Sequence, residues 1–158
     1  MKALRTALAL SLLIATAPAL AAKPFVADYT ASWKGISANA RISLSQAPGN
    51  RWNYELSVNN SLGSSSQVTI FDEQGDTLRP LSGVDTTQLL FKKIQKNATY
   101  DWSKREARWS GDVNADRAGP VKLQEGDLDG MLLNLAIVRD VAAGKPLHHD
   151  YADKAASV

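Results

Sequence analysis

From residue 25 onward the chain alternates between apolar and polar positions. Phe25, Ala27, Tyr29, Ala31 and Trp33 share one phase of a two-residue period, while Val26, Asp28, Thr30 and Ser32 share the other, which predicts a strand with one buried face. Ala40, Ile42 and Leu44 repeat the pattern against Arg41, Ser43 and Ser45, and Pro48, Gly49 and Asn50 then predict a turn. In a third strand Trp52, Tyr54, Leu56 and Val58 alternate with Arg51, Asn53, Glu55 and Ser57, and the stretch from Gly63 to Ser66 is expected to end it. Val68 and Ile70 predict a short fourth strand that leads into the polar turn from Asp72 to Asp76. Leu78 to Leu81 reads as a weak strand, because Pro80 cannot donate to a ladder and suits an edge or a strand end.

A longer strand is expected from about Leu89 to Trp102, with Leu90, Ile94, Ala98, Tyr100 and Trp102 in phase. Lys92 and Lys96 fall on that same phase, so either a bulge re-phases the strand or its first half faces a wet interior. Ser103 and Lys104 turn it into a partner carrying Ala107, Trp109, Gly111 and Val113 on one side, the clearest hairpin in the chain. The period then changes. Leu128, Met131, Leu132, Leu135 and Val138 recur at helical spacing, which predicts an amphipathic helix over about 127–143. Asp127 is placed to cap it, Asp129 favours its positive end, and Gly144 and Pro146 stop it. About seven strands followed by one helix define a mainly β fold: an antiparallel meander forming an open barrel or half-barrel, with one amphipathic C-terminal α-helix lying on the sheet. A β-sandwich is the alternative.

The first residues follow a different rule. Lys2 and Arg5 precede the apolar run Ala7 to Ala17, then Pro18 and the small residues before Lys23, the layout of a secretory signal peptide over residues 1–21. The run is about half the ~20 residues that a membrane span requires, and no Cys follows to accept a lipid. The expected organisation is a leader at 1–21, a β-rich domain at 22–147 and a flexible tail at 148–158, in a bacterial periplasmic or secreted protein with no membrane span. The formal charge of +2 includes Lys2 and Arg5; without them 16 basic residues face 16 acidic ones, which gives no drive toward nucleic acid. The local excess of Lys92, Lys93, Lys96, Lys104, Arg105 and Arg108 over Asp101 and Glu106 reads as solvated strand faces ahead of an anionic-ligand patch.

Candidate chemistry is sparse. With no Cys in the chain, a disulfide framework and a thiol nucleophile are excluded, and no glycine-rich phosphate loop, nucleophile elbow or zinc-protease motif is present. His148, His149 and Asp150 are neighbours whose side chains diverge on an extended segment, so a tail is expected there ahead of a metal site. Asp127 and Asp129 fit helix capping better than an acid pair, and Asp72, Glu73 and Asp76 around Gly75 fit a hairpin turn better than a calcium loop. Ser64, Ser65 and Ser66 have no His nearby in sequence to activate them. No catalytic residue, metal or cofactor is therefore assigned, and an enzyme is disfavoured. The aromatic set Trp33, Trp52, Tyr54, Tyr100, Trp102 and Trp109 is the candidate ligand-binding group, able to line a site for a lipid acyl chain, an isoprenoid or a glycan, with core packing as the competing role.

Several of these segments taken together carry a resemblance. The opening Phe25, Ala27, Tyr29 through Trp33 to Ile36, the aromatic strand from Trp52 to Leu56, the Leu78 to Pro80 step, the Tyr100 to Trp102 strand end, and Leu128 and Asp129 leading into the Leu-rich helix resemble the domain of unknown function 3108 family of proteobacterial exported proteins. The resemblance implies an exported β-rich protein and brings no established activity, cofactor or catalytic residue. Members of that family continue beyond the helix with further strands, so a truncated chain, an unpaired sheet edge, low stability and self-association are expected. The expected function is a non-catalytic periplasmic binding or envelope-maintenance protein that holds an amphipathic ligand. The alternatives are an envelope interaction module that pairs through a sheet edge with another protein or a second copy, or a hydrolase using Asp127, Asp129 or His148.

Overall fold

The computed structural model describes residues 22–146; the expected leader over 1–21, Leu147, and the tail with His148, His149 and Asp150 lie outside the described residues. Eight strands form one antiparallel sheet in chain order: β1 (Phe25–Trp33), β2 (Ile36–Ala47), β3 (Arg51–Asn60), β4 (Gly63–Gln74), β5 (Thr77–Leu89), β6 (Lys92–Asp101), β7 (Glu106–Gly111) and β8 (Val121–Lys122). A 3-10 turn at Ala115–Arg117 precedes β8, and one helix, α1 (Gly130–Ala142), follows it. Neither outer strand pairs with the other, so the sheet is an open meander. Among the described residues there is no second sheet, and the sandwich alternative is set aside.

Register fixes which side chains meet. Directly paired residues share a face, so Leu44, Tyr54, Thr69, Gly83, Ala98 and Trp109 form one row from β2 to β7. The next row along the strands is Ile42, Leu56, Gln67, Asp85, Lys96 and Gly111. Helix α1 lies on this same face, where Leu128, Leu132, Leu135 and Ala136 join Leu44, Trp52, Tyr54, Phe71 and Leu78 in the main core. A smaller cluster of Tyr100, Ala107 and Leu123 extends it toward β8, with Trp109 packed alongside. The opposite face carries Arg41, Ser43, Glu55, Ser57 and Arg108, and its Arg41–Asp28 pair at 2.7 Å is exposed to solvent, where screening leaves an ion pair little weight in stability.

Four expectations are corrected. The single long strand from Leu89 to Trp102 is broken at once by a hairpin turn at Leu90 and Phe91, so that Leu89 pairs with Lys92 across it. Two large apolar residues in the turn, where Asn-Gly or Gly would be ordinary, concealed it; Leu90 sits at φ 43°. Gly63 to Ser66 opens β4 instead of ending β3, and residues Ser82 to Gln88, which no pattern assigned, continue β5. Those polar segments are held as strands by neighbours on both sides, which overrides their weak strand preference. Pro80 lies within β5, its ring buried opposite Phe71 beside the register shift at Ile70 and Phe71, where a missing N–H does not interrupt a regular ladder.

The helix supplies the fourth correction. It begins at Gly130 with Asp129 as its cap: Asp129 Oδ1 accepts the Leu132 backbone N–H at 2.7 Å. Asp127 instead accepts the Gln124 N–H at 2.8 Å in the preceding turn. Val138, expected on the buried stripe, is 58% exposed, because the sheet beneath α1 is filled by Leu132, Leu135 and Ala136.

Candidate binding face

The helix covers only part of the face on which it lies. It packs on Leu44, Trp52, Tyr54, Phe71 and Leu78, toward the β2–β3 and β4–β5 turns, and no described helix lies over the rows farther along the strands. On β1 to β3 these rows are apolar: Ala27, Ile42 and Leu56 lie in the first, where Ile42 still packs against the core, and Tyr29, Ala40 and Val58 in the next. Leu56 and Val58 are half-buried and Tyr29 is 54% exposed. On β4 to β6 the first row turns polar, with Gln67, Asp85 and Lys96, and the second is polar at Ser65 and Thr87 before returning to apolar at Ile94. Ser65 Oγ and Thr87 Oγ1 lie 3.4 Å apart across that pair.

Lys96 resolves the question its phase raised. The strand is not re-phased, since β5–β6 and β6–β7 pair without a register shift, and Lys96 faces Asp85 on the helix side. Although Asp85 is exposed, desolvation against the flanking strands pushes its carboxyl above the usual carboxylate range, opposed by the Lys96 ammonium and a Gln67 hydrogen bond. Where this polar block meets the helix, Thr69, only 3% exposed, donates its hydroxyl to Asp129 Oδ2 at 2.8 Å. Burial raises the Asp129 carboxyl, although the Leu132 N–H and the Thr69 hydroxyl favour its charged form. Tyr100 is raised as well, first by burial and then by the charges of Asp129 and Asp85. Gly83, between Thr69 and Ala98, contributes no side chain over this point.

The aromatic set divides. Trp52 and Tyr54 are 8% and 4% exposed beneath α1, so a ligand at those rings would have to displace the helix. Tyr100 meets Trp109 edge-on at 6.4 Å in the second cluster, and Trp102 donates its indole N–H to the Pro80 carbonyl at 2.6 Å while Arg79 stacks over its ring. The Trp33 backbone pairs with Ile36, and its side chain lies outside the described residues. A largely apolar cavity of about 210 Å³ lies between Phe25, Leu44 and Leu78 on the sheet and Leu135, Val138 and Ala142 on the helix. That volume is below the roughly 300–1,000 Å³ of sites that enclose a drug-sized ligand.

The other candidates disperse. Glu73 Oε1 accepts the Ala22 N–H at 3.1 Å and Asp76 pairs with Lys145 at 3.7 Å, so the acidic turn residues serve separate contacts. Lys104 and Arg108 pair with Asp101 and Glu106, whereas Lys92 and Lys93 stand exposed at the far hairpin, so the basic excess is no single patch. Among the described residues no three His, Asp or Glu side chains gather as a metal site would require. Compared with family models, curated proteins and solved structures, the chain matches none.

Sequence reasoning missed Gln67, Thr69, Asp85 and Lys96 as a group. The signal for Lys96 is its place in an apolar phase; Gln67 and Asp85 sit in segments too polar to be read as inward-facing strand, and Thr69 faces inward between Val68 and Ile70, whose apolar phase lies on the opposite face.

Proposed function

We propose that this is an exported, non-catalytic binding protein that holds an amphipathic ligand on the uncovered part of the helix-side face. One observation carries the reading: a row that is apolar on β1–β3, at Ala27, Ile42 and Leu56, becomes polar and charged on β4–β6, at Gln67, Asp85 and Lys96. An acyl or isoprenoid chain would lie over Ala27, Ala40, Ile42, Leu56 and Val58. Its polar head would reach Gln67, Asp85 and Lys96, of which the ammonium suits an anionic group. The sorting of apolar lining and a few convergent polar groups is the usual chemistry of small-ligand recognition.

A fluorescent fatty acid titrated into the protein tests it. Saturable binding is expected, weakened at least about tenfold by Leu56→Asp, which places a charge where about 1.5–3 kcal/mol of apolar burial is expected. Ser43→Asp, on the opposite face of the neighbouring strand, should leave binding unchanged. Absence of saturable binding, or equal effects of the two substitutions, overturns the proposal. A second reading has its own observation: the outer edge of β1 runs for 9 residues without a partner strand among the described residues. Such an edge offers unpaired N–H and C=O groups to a strand of another envelope protein. Photo-crosslinking from Thr30 to a single protein in cells would support it.

A further inference from the structure

The hairpin turns of a meander gather at two ends, and one of these ends is unlike the other. At it, the β3–β4 turn and the β5–β6 turn stand side by side, because Gly63 pairs with both Asn60 and Leu89. Their tips present Leu62 at 55% exposure, Leu90 at 77% and Phe91 at 102%, with Leu89 at 48% behind them. Isolated exposed leucines are ordinary, but a protruding cluster is not. Leu90 also adopts φ 43°, a conformation that Gly or Asn takes without strain and Leu does not. Local preference and solubility would both select another residue here, which is the kind of departure that marks a working surface.

The charge around the tips says what that surface meets. Lys92 and Lys93 follow Phe91 directly and are exposed, and no Asp or Glu occurs from Thr86 to Tyr100 or from Leu56 to Ile70. Large apolar side chains projecting ahead of a lysine pair match the layering of a lipid interface, with acyl chains below and anionic headgroups above. A protruding turn complements a deformable surface, and no described helix is long and apolar enough to cross a membrane. We propose that this end of the sheet docks on the surface of an anionic bilayer, inserting Leu90 and Phe91 with Leu62 beside them, while Lys92 and Lys93 engage the headgroups. The proposal does not rest on the ligand reading above.

The test is co-sedimentation of the full chain with vesicles of phosphatidylcholine mixed with phosphatidylglycerol, and with phosphatidylcholine alone. The first should bind more tightly by about tenfold, and the preference should fall with salt. Leu90→Gly with Phe91→Asn keeps the turn and relieves its backbone, so it should preserve the melting temperature while weakening vesicle binding by about tenfold or more. Lys92→Gln with Lys93→Gln should remove most of the preference for the anionic lipid.

Because the chain has no cysteine, an environment-sensitive dye on Ser61→Cys reports this end alone, and one on Gln74→Cys reports the opposite end. A blue shift with vesicles is expected at the first and not at the second. Failure to bind vesicles, binding unchanged in the Leu90→Gly, Phe91→Asn variant, or a dye shift at Gln74 in place of Ser61 overturns the proposal.

Discussion

Asp129 joins the sheet to the helix, and its removal separates three contributions that the structure places on one carboxylate. Replacement by Ala deletes the cap to the Leu132 N–H, a loss of about 1 kcal/mol. It also strands the buried Thr69 hydroxyl, an unsatisfied group that costs about 1–3 kcal/mol. Against these stands relief of the desolvation that raises the Asp129 carboxyl, so the expected net loss is about 1–3 kcal/mol. Asn retains an oxygen for the cap and an amide for Thr69 without the charge, and should match or exceed the wild type at pH 7.

The pH dependence follows from the direction of the shift. A carboxyl whose folded pKa is raised contributes stability that is complete below its unfolded value and is lost as pH rises through the folded value. The advantage of Asn over Asp should therefore shrink as pH falls from 7 toward about 4. Thermal unfolding across that range is the assay, with each kcal/mol expected to move the midpoint by roughly 3–6 °C in a domain of this size. If Ala and Asn cost the same, or if the gap between Asn and Asp widens in acid, the carboxylate does not hold the contacts assigned to it.

Other substitutions read other parts of the fold. Leu132→Ala empties a fully buried position under α1 and should cost about 2–5 kcal/mol by chemical denaturation. Gly111→Ala should destabilise by at least about 1 kcal/mol, since Gly111 sits at φ 88° and an added methyl would meet the Gln95 carbonyl. Lys96→Gln removes the cation that lowers the Asp85 carboxyl, so NMR titration should find that carboxyl shifted further upward.

Legibility followed how strongly a segment's own residues chose its state. β1, β2 and β3 are legible as strands because each alternates without interruption, although the face of β1 expected to be buried is exposed at Phe25 and Tyr29, and β6–β7 because the turn at Ser103 and Lys104 is polar. The helix was visible in Leu128, Leu132 and Leu135, but its start was misplaced by two residues, because Asp127 and Asp129 are equally good caps and only the bond to Leu132 distinguishes them. The β4 and β5 segments were lost for the opposite reason: Ser64 to Gln67 and Ser82 to Gln88 have little preference of their own and become strands by pairing on both sides. Chain-order pairing was legible all the same: a succession of strands with short turns and no crossover predicts an antiparallel meander, which is the pairing found.

The same misreadings lie where the functional proposals arise. A run read as a loop turned out to be the polar half of the helix-side face, and a run read as one strand turned out to contain the most exposed apolar turn in the described residues. Both errors assume that inward positions are apolar and that turns are polar. Gln67, Asp85 and Lys96 break the first assumption on a face whose other half is apolar, and Leu90 and Phe91 break the second at a point where the backbone itself is strained. A packed core gains nothing from inward charges, and a solvated turn gains nothing from exposed leucine and phenylalanine. The stability of these features therefore has to be supplied elsewhere, by the Phe71 and Leu132 core and by the continuous ladder from β1 to β7. The packed interior thus lies toward one end of the strands, and the open rows and the apolar tips, the two features the proposals rest on, lie toward the other.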